Sequence, residues 1–126
     1  YNNTIPIFAD NDTIKNQVMN IVTDSAGLNE PKDIDTPLFK IYSLFLDKKG
    51  KNKLKDRYLT PGLKYMSVKN ELYEHIMDYF SEQRSIKQNY LDKPDDVFDL
   101  MDLGSKKAEL IASETLANVK KSIGMV

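Results

Sequence analysis

The chain has 126 residues, 40% hydrophobic and 29% charged, with five Gly, five Pro, no Cys, a single His and a formal net charge of −1. That length suits one domain with a core of its own, and the composition excludes a disulfide scaffold, a cysteine zinc site, a thiol nucleophile and a paired-histidine metal site. Near-neutral charge argues by itself against a nucleic-acid binder, DNA included, and no apolar run approaches the roughly 20 residues that span a bilayer.

In chain order, DNDTIKNQVMNIVTDS (10–25) reads as a first helix capped by Asp10 or Asp12, with Ile14, Val18, Ile21 and Val22 on one face. Gly27, Pro31 and Pro37 break the pattern into a loop. Thr36–Pro37 then supplies an N-cap and a first-turn proline for a second helix, whose buried stripe is Leu38, Ile41, Tyr42 and Phe45 and which Gly50 ends. The following basic stretch forms a short helix through Leu54 and Tyr58, stopped at Thr60-Pro61-Gly62.

A long helix is expected from about Lys64 to Leu91, striped by Leu72, Tyr73, Ile76, Met77 and Phe80, and continued by Tyr79, Ile86 and Tyr90. Pro94, Asp95 and Asp96 open a fifth helix, with acidic groups at the positive end of its dipole, and Gly104 interrupts it. The last helix has the cleanest period: Ala108, Ile111, Ala112, Thr115, Leu116, Val119 and Ile123 share a face, Lys120 and Lys121 occupy the last turn, and Gly124 is the C-terminal cap. No segment alternates as a strand. The expected fold class is all-α, a bundle of five or six helices.

The charge is segregated. Residues 48–69 carry eight positive side chains and one negative, while 1–47 carry three and seven and 71–103 carry three and nine. Such a distribution can present a cationic face to a polyanion from a near-neutral molecule; a lysine-rich solvated surface is the plainer reading. Catalytic constellations are missing. His75 neighbours Glu71 and Asp78 and reads as a partly exposed structural residue. Asp95/Asp96 and Asp99/Asp102 read as helix-start charge and a solvated face, and no Gly-rich phosphate loop is present.

Binding is what remains. Lys48, Lys49, Lys51, Lys53, Lys55 and Arg57 neutralise phosphates, and Tyr58, Tyr65 and Tyr90 would stack on unpaired bases if exposed. Aromatic residues at helical spacing are more often core.

Three phrases carry a resemblance: IVTDS at 21–25, the Pro-Gly-Leu-Lys turn at 61–64, and DLGSKKAELIASETLANVKKSIG at 102–124. In that order they resemble the C-terminal portion of a bacterial-type tryptophanyl-tRNA synthetase. The family's closing pattern is matched by Gly104, Lys107, Ala108, Ile111, Ala112, Thr115, Leu116, Val119 and Gly124, and the likeness covers essentially all 126 residues.

The resemblance implies that YNNTI, with Asn3 and Ile5, continues from the mobile Lys-Met-Ser-Lys-Ser loop that holds the ATP phosphates. It divides the chain into 1–9, the continuation of that loop region and a hinge, and 10–126, the helical anticodon-recognition domain. A Rossmann catalytic domain would lie upstream. The implied parent is a cytoplasmic homodimer that uses ATP with Mg2+ to make tryptophanyl-adenylate and then charges tRNA(Trp). Residues 1–126 alone would bind no cofactor or metal and would be inactive. The absence of a signal or transit segment agrees with a cytoplasmic protein.

Candidate RNA contacts are Lys64, Lys69, Arg84 and Lys87, then Lys106 and Lys107, because helix cations are pre-positioned. The 48–57 run is expected to add long-range attraction. Two alternatives stand beside this reading. One is the equivalent region of a tyrosyl-tRNA synthetase, disfavoured because bacterial members usually carry a further RNA-binding domain where this chain ends in SIGMV. The other is a free-standing helical protein-interaction domain without RNA binding.

Overall fold

The computed structural model describes residues 4–125, which hold six α-helices and no strand. The all-α expectation holds. α1 (Asn11–Met19), α2 (Pro37–Ser43), α3 (Lys48–Leu59) and α4 (Tyr65–Tyr79) belong to a first unit, Tyr1–Arg84. α5 (Ser81–Asp92) begins in that unit, and α6 (Pro94–Ser122) lies in a second, Ser85–Val126. Tyr1, Asn2 and Asn3, on which part of the loop-continuation reading rests, lie outside the described residues, as does Val126.

The first unit is built on helix periodicity. Ile14 and Val18 come from α1, Leu38 and Tyr42 from α2, Leu54 and Tyr58 from α3, and Val68, Leu72 and Ile76 from α4; all are buried. Within each helix they recur at a spacing of four, so each helix gives one stripe to a shared core. α1 packs along α4 and α2 against α3. Ile5 and Ile7 of the N-terminal segment pack onto the same core.

Several boundaries differ from the sequence reading, each for a local reason. α1 stops at Met19, and Asn20 caps it. Residues 21–25 are therefore not helical, and Val22 is 76% exposed. Asp24 instead organises the following loop, accepting from the Ala26 amide at 3.0 Å and the Asp33 amide at 3.2 Å. Lys32 is buried in this loop with its ammonium on the carbonyls of Ala26 and Gly27.

α2 ends at Ser43, and Gly50 lies inside the first turn of α3. Asp47 caps α3 by accepting from the Gly50 amide at 2.7 Å. A Cβ on Gly50 would sit 3.1 Å from the Asp47 carboxylate and 3.3 Å from Leu46 Cβ, so glycine is there to let α2 and α3 turn closely.

The long helix expected over 64–91 is two helices. Phe80 leaves helical geometry (φ −100°, ψ 12°) with its ring kept on the core side, edge-on to Phe45 and Tyr79. Tyr79, Ile86 and Tyr90 are exposed, so the drifting stripe drawn through them is not a buried one. In the second unit, Gly104 does not interrupt α6, which runs unbroken through it for 29 residues. A mid-helix glycine costs about 1 kcal/mol, which the good helix formers around it offset.

Asp95 and Asp96 in the first turn of α6 and Lys120 and Lys121 in the last match its dipole. Gly124, at φ +72°, closes it with the Met125 amide on the Lys120 carbonyl at 2.9 Å. The apolar stripe of α6 is exposed: Phe98, Met101, Ile111, Leu116 and Val119 are each about half exposed or more.

Candidate nucleic-acid interface

α3 concentrates the cationic charge. Its twelve residues carry five Lys and one Arg against one Asp. Leu54 and Tyr58 anchor one face in the core, which leaves Lys48, Lys49, Lys51, Lys53 and Lys55 on the exposed remainder. Among the described residues none of these lysines makes an ion pair or a side-chain hydrogen bond.

The arrangement is unfavourable for an isolated helix. Lys49–Lys53 and Lys51–Lys55 are like-charge pairs at i, i+4, each costing a few tenths of a kcal/mol. Lys48 and Lys49 sit at the positive end of the helix dipole, where anions are preferred. A polyanion relieves both penalties at once.

Arg57 differs from the lysines. It forms a bidentate pair with Glu71 of α4, Nη1–Oε2 at 2.6 Å and Nη2–Oε1 at 2.7 Å. Ser67 and the Tyr42 hydroxyl also donate to the carboxylate, at 3.1 and 3.3 Å. His75 donates from Nδ1 to the Glu71 carbonyl at 2.9 Å, its ring edge-on to Tyr42. Arg57 thereby holds the Glu71 carboxyl below the ordinary carboxylate range, while Glu71 raises the pKa of Arg57. Burial, with the negative charge of Glu71, pushes the Tyr42 hydroxyl up to about 12.

The six residues singled out as RNA contacts are placed differently from one another. Lys64 is exposed at the N-cap position of α4 and makes no side-chain capping bond there. Lys69 is half-buried and donates to the Met19 carbonyl at 2.7 Å, closing the end of α1, and its burial lowers its pKa. Arg84 holds the N-terminal segment through the carbonyls of Ile7 and Ala9 and the side chain of Asn11, at 2.7–2.9 Å. Lys87, Lys106 and Lys107 are exposed on α5 and α6 in the second unit.

Of the three tyrosines offered for stacking, Tyr58 is fully buried, Tyr65 is half-buried and Tyr90 is exposed. Sequence reasoning passed over Arg57–Glu71, since nothing local links positions 14 apart. It also began this helix after Gly50, although Asp47 ahead of Lys-Lys-Gly is an N-cap signal for the start at Lys48. Among the described residues, no group of three His, Asp or Glu is placed to hold a metal ion, and no helix is long and apolar enough to cross a membrane.

No family model matches the chain. Individual proteins do. A protein of Fusobacterium nucleatum named tryptophan–tRNA ligase is 42% identical over 126 residues, all of this chain and 39% of its own length. One of the same name from Campylobacter jejuni is 40% identical, over 99% of this chain and 40% of its own length. The crystal structure of tryptophanyl-tRNA synthetase from Campylobacter jejuni, complexed with ADP and tryptophan, superposes with a TM-score of 0.93 at 40% identity, covering 98% of this chain and 39% of that one. The chain thus spans about two-fifths of the length of these relatives.

Proposed function

Because this chain belongs to the tryptophan–tRNA ligase family, as the counterpart of its C-terminal helical part, we propose that it is the tRNA-facing module of such an enzyme, with α3 as its principal contact surface. The whole protein would activate tryptophan with ATP and Mg2+ and charge tRNA(Trp), as a cytoplasmic homodimer whose Rossmann domain carries the chemistry. The part played by residues 1–126 is to hold the RNA, at its anticodon end. The three-dimensional relative holding ADP and tryptophan supports the use of ATP.

One observation carries the RNA reading: five lysines crowd the exposed side of a short helix with no partner in the described chain. Lys64 extends that surface into α4. Lys106 and Lys107 offer further cations on α6, with Lys87 on α5. Lys69 and Arg84 are engaged in holding the first unit together, so their contribution to RNA is secondary.

The test is titration of the full chain with a CCA anticodon stem-loop and with a scrambled loop across a salt series. Affinity should fall steeply with salt, log K changing by about 0.7–0.9 per log unit of salt for each phosphate neutralised, and the CCA loop should bind more tightly. Equal, salt-independent binding would sink the proposal. It would favour the second reading, a helical protein-interaction domain, which draws on the exposed apolar stripe of α6.

A further inference from the structure

A cleft of about 210 Å³ opens beside the lysine surface, between α2, α3 and α4, and is lined by Tyr42, Leu46, Lys53, Leu54, Arg57 and Glu71. Its hydrogen-bonding capacity is one-sided. The carboxylate of Glu71 already accepts from both Arg57 nitrogens, Ser67 and Tyr42, so its lone-pair positions are filled. The Tyr42 hydroxyl is buried and engaged with Glu71 and the His75 ring.

Donors, by contrast, are to spare. Arg57 commits two N–H groups to Glu71 and keeps the others, with its side chain about a third exposed. Lys53 adds an unpaired ammonium. A cleft with spare donors and no spare side-chain acceptor suits a group that only accepts. The pairing edge of every nucleobase carries at least one N–H that would go unmet there, whereas a phosphodiester oxygen has none.

We propose that this cleft seats one phosphodiester group of the bound RNA, with Arg57 as the oriented contact, Lys53 as its companion and Glu71 as the positioning residue. This rests on the RNA-binding reading above and deepens it. The α3 lysines supply attraction with little direction, since an ammonium on a flexible stem accepts many geometries. The Arg57 fork, fixed by the four bonds converging on Glu71, supplies direction. Contacts of this kind set register and orientation without reading sequence.

Glu71→Gln separates the proposal from charge alone. It removes a negative charge, so simple electrostatics makes the variant bind RNA more tightly. Loss of the fork's orientation makes it bind more weakly, by about ten-fold, equally for CCA and scrambled loops. Arg57→Lys, which keeps the charge, should show the same sequence-independent loss. Single methylphosphonate substitutions along the loop add a readout that no folding defect imitates. One position should weaken the wild-type chain about ten-fold and leave both variants unaffected.

Thermal melts of both variants establish that they fold. If the wild type binds RNA and Glu71→Gln binds it equally or more tightly, or if no single phosphate stands out, the phosphate cleft is overturned while the RNA-binding function survives. If the wild type binds neither loop, both proposals fall.

Discussion

The two units use the same kind of sequence to different ends. α4 and α6 are both amphipathic helices with apolar residues at intervals of three and four. In α4, Val68, Leu72 and Ile76 are buried; in α6, all residues but the half-exposed Val97 are exposed. Among the described residues, every buried apolar residue lies between Ile14 and Ile76. Periodicity reports that a helix has a face suited to cover, and it is silent on whether the cover is in the same chain.

The sharpest way to break this comparison is a pair of truncations. Leu72→Ala should cost about 2–5 kcal/mol in chemical denaturation, the sum of lost burial and a cavity, whereas Ile111→Ala in α6 should change the same transition by less than about 0.5 kcal/mol. Equal costs would mean that α6 contributes to the core after all.

Glu71→Gln gives the next effect and a pH signature. The Glu71 pKa is depressed by Arg57 in the folded state, so its contribution is full above the ordinary carboxylate value of about 4.3 and is lost as pH falls through the lower folded value. Both side chains are about a third exposed, and after screening the pair contributes roughly 1 kcal/mol. The variant should be less stable by that amount at neutral pH and should lose less on acidification.

Two glycines give the smallest effects, of opposite sign. Gly62→Ala puts a Cβ at φ +103° and should destabilise the first unit by about 1 kcal/mol. Gly104→Ala meets nothing within 4 Å inside a helix and should raise helical circular dichroism, with a gain of about 0.5–1 kcal/mol in helix propensity.

Much of the first unit was legible. The N-cap positions at Asp10 and Thr36, the buried pairs Ile14/Val18 and Leu38/Tyr42 and the stop at Thr60-Pro61-Gly62 are local signals that the fold obeys. The failures occur where tertiary contact overrides a local pattern. A chain with good helical period from Lys64 to Leu91 breaks at Phe80 because the ring keeps its place against Phe45. Asp24 ends up serving a loop, bonded to Asp33 nine positions away. The proposed RNA surface was half legible: the lysines are plain in the sequence, but the tie from Arg57 to Glu71 spans 14 positions and depends on how α3 meets α4. Lys69 and Arg84 read as surface cations, yet their partners lie 50 and at least 73 positions away.

The loop between α1 and α2 looks slack in sequence and is clasped in the fold. The Lys32 amide donates to the Tyr58 carbonyl at 2.7 Å, and the Gly62 amide reaches back to Leu28 at 2.8 Å. Neither bond belongs to a helix, and both join the loop to the end of α3. In deuterated water the Lys32 amide, in a residue only 3% exposed, should exchange on the slow timescale of the core helices, keeping time with the opening of the whole first unit.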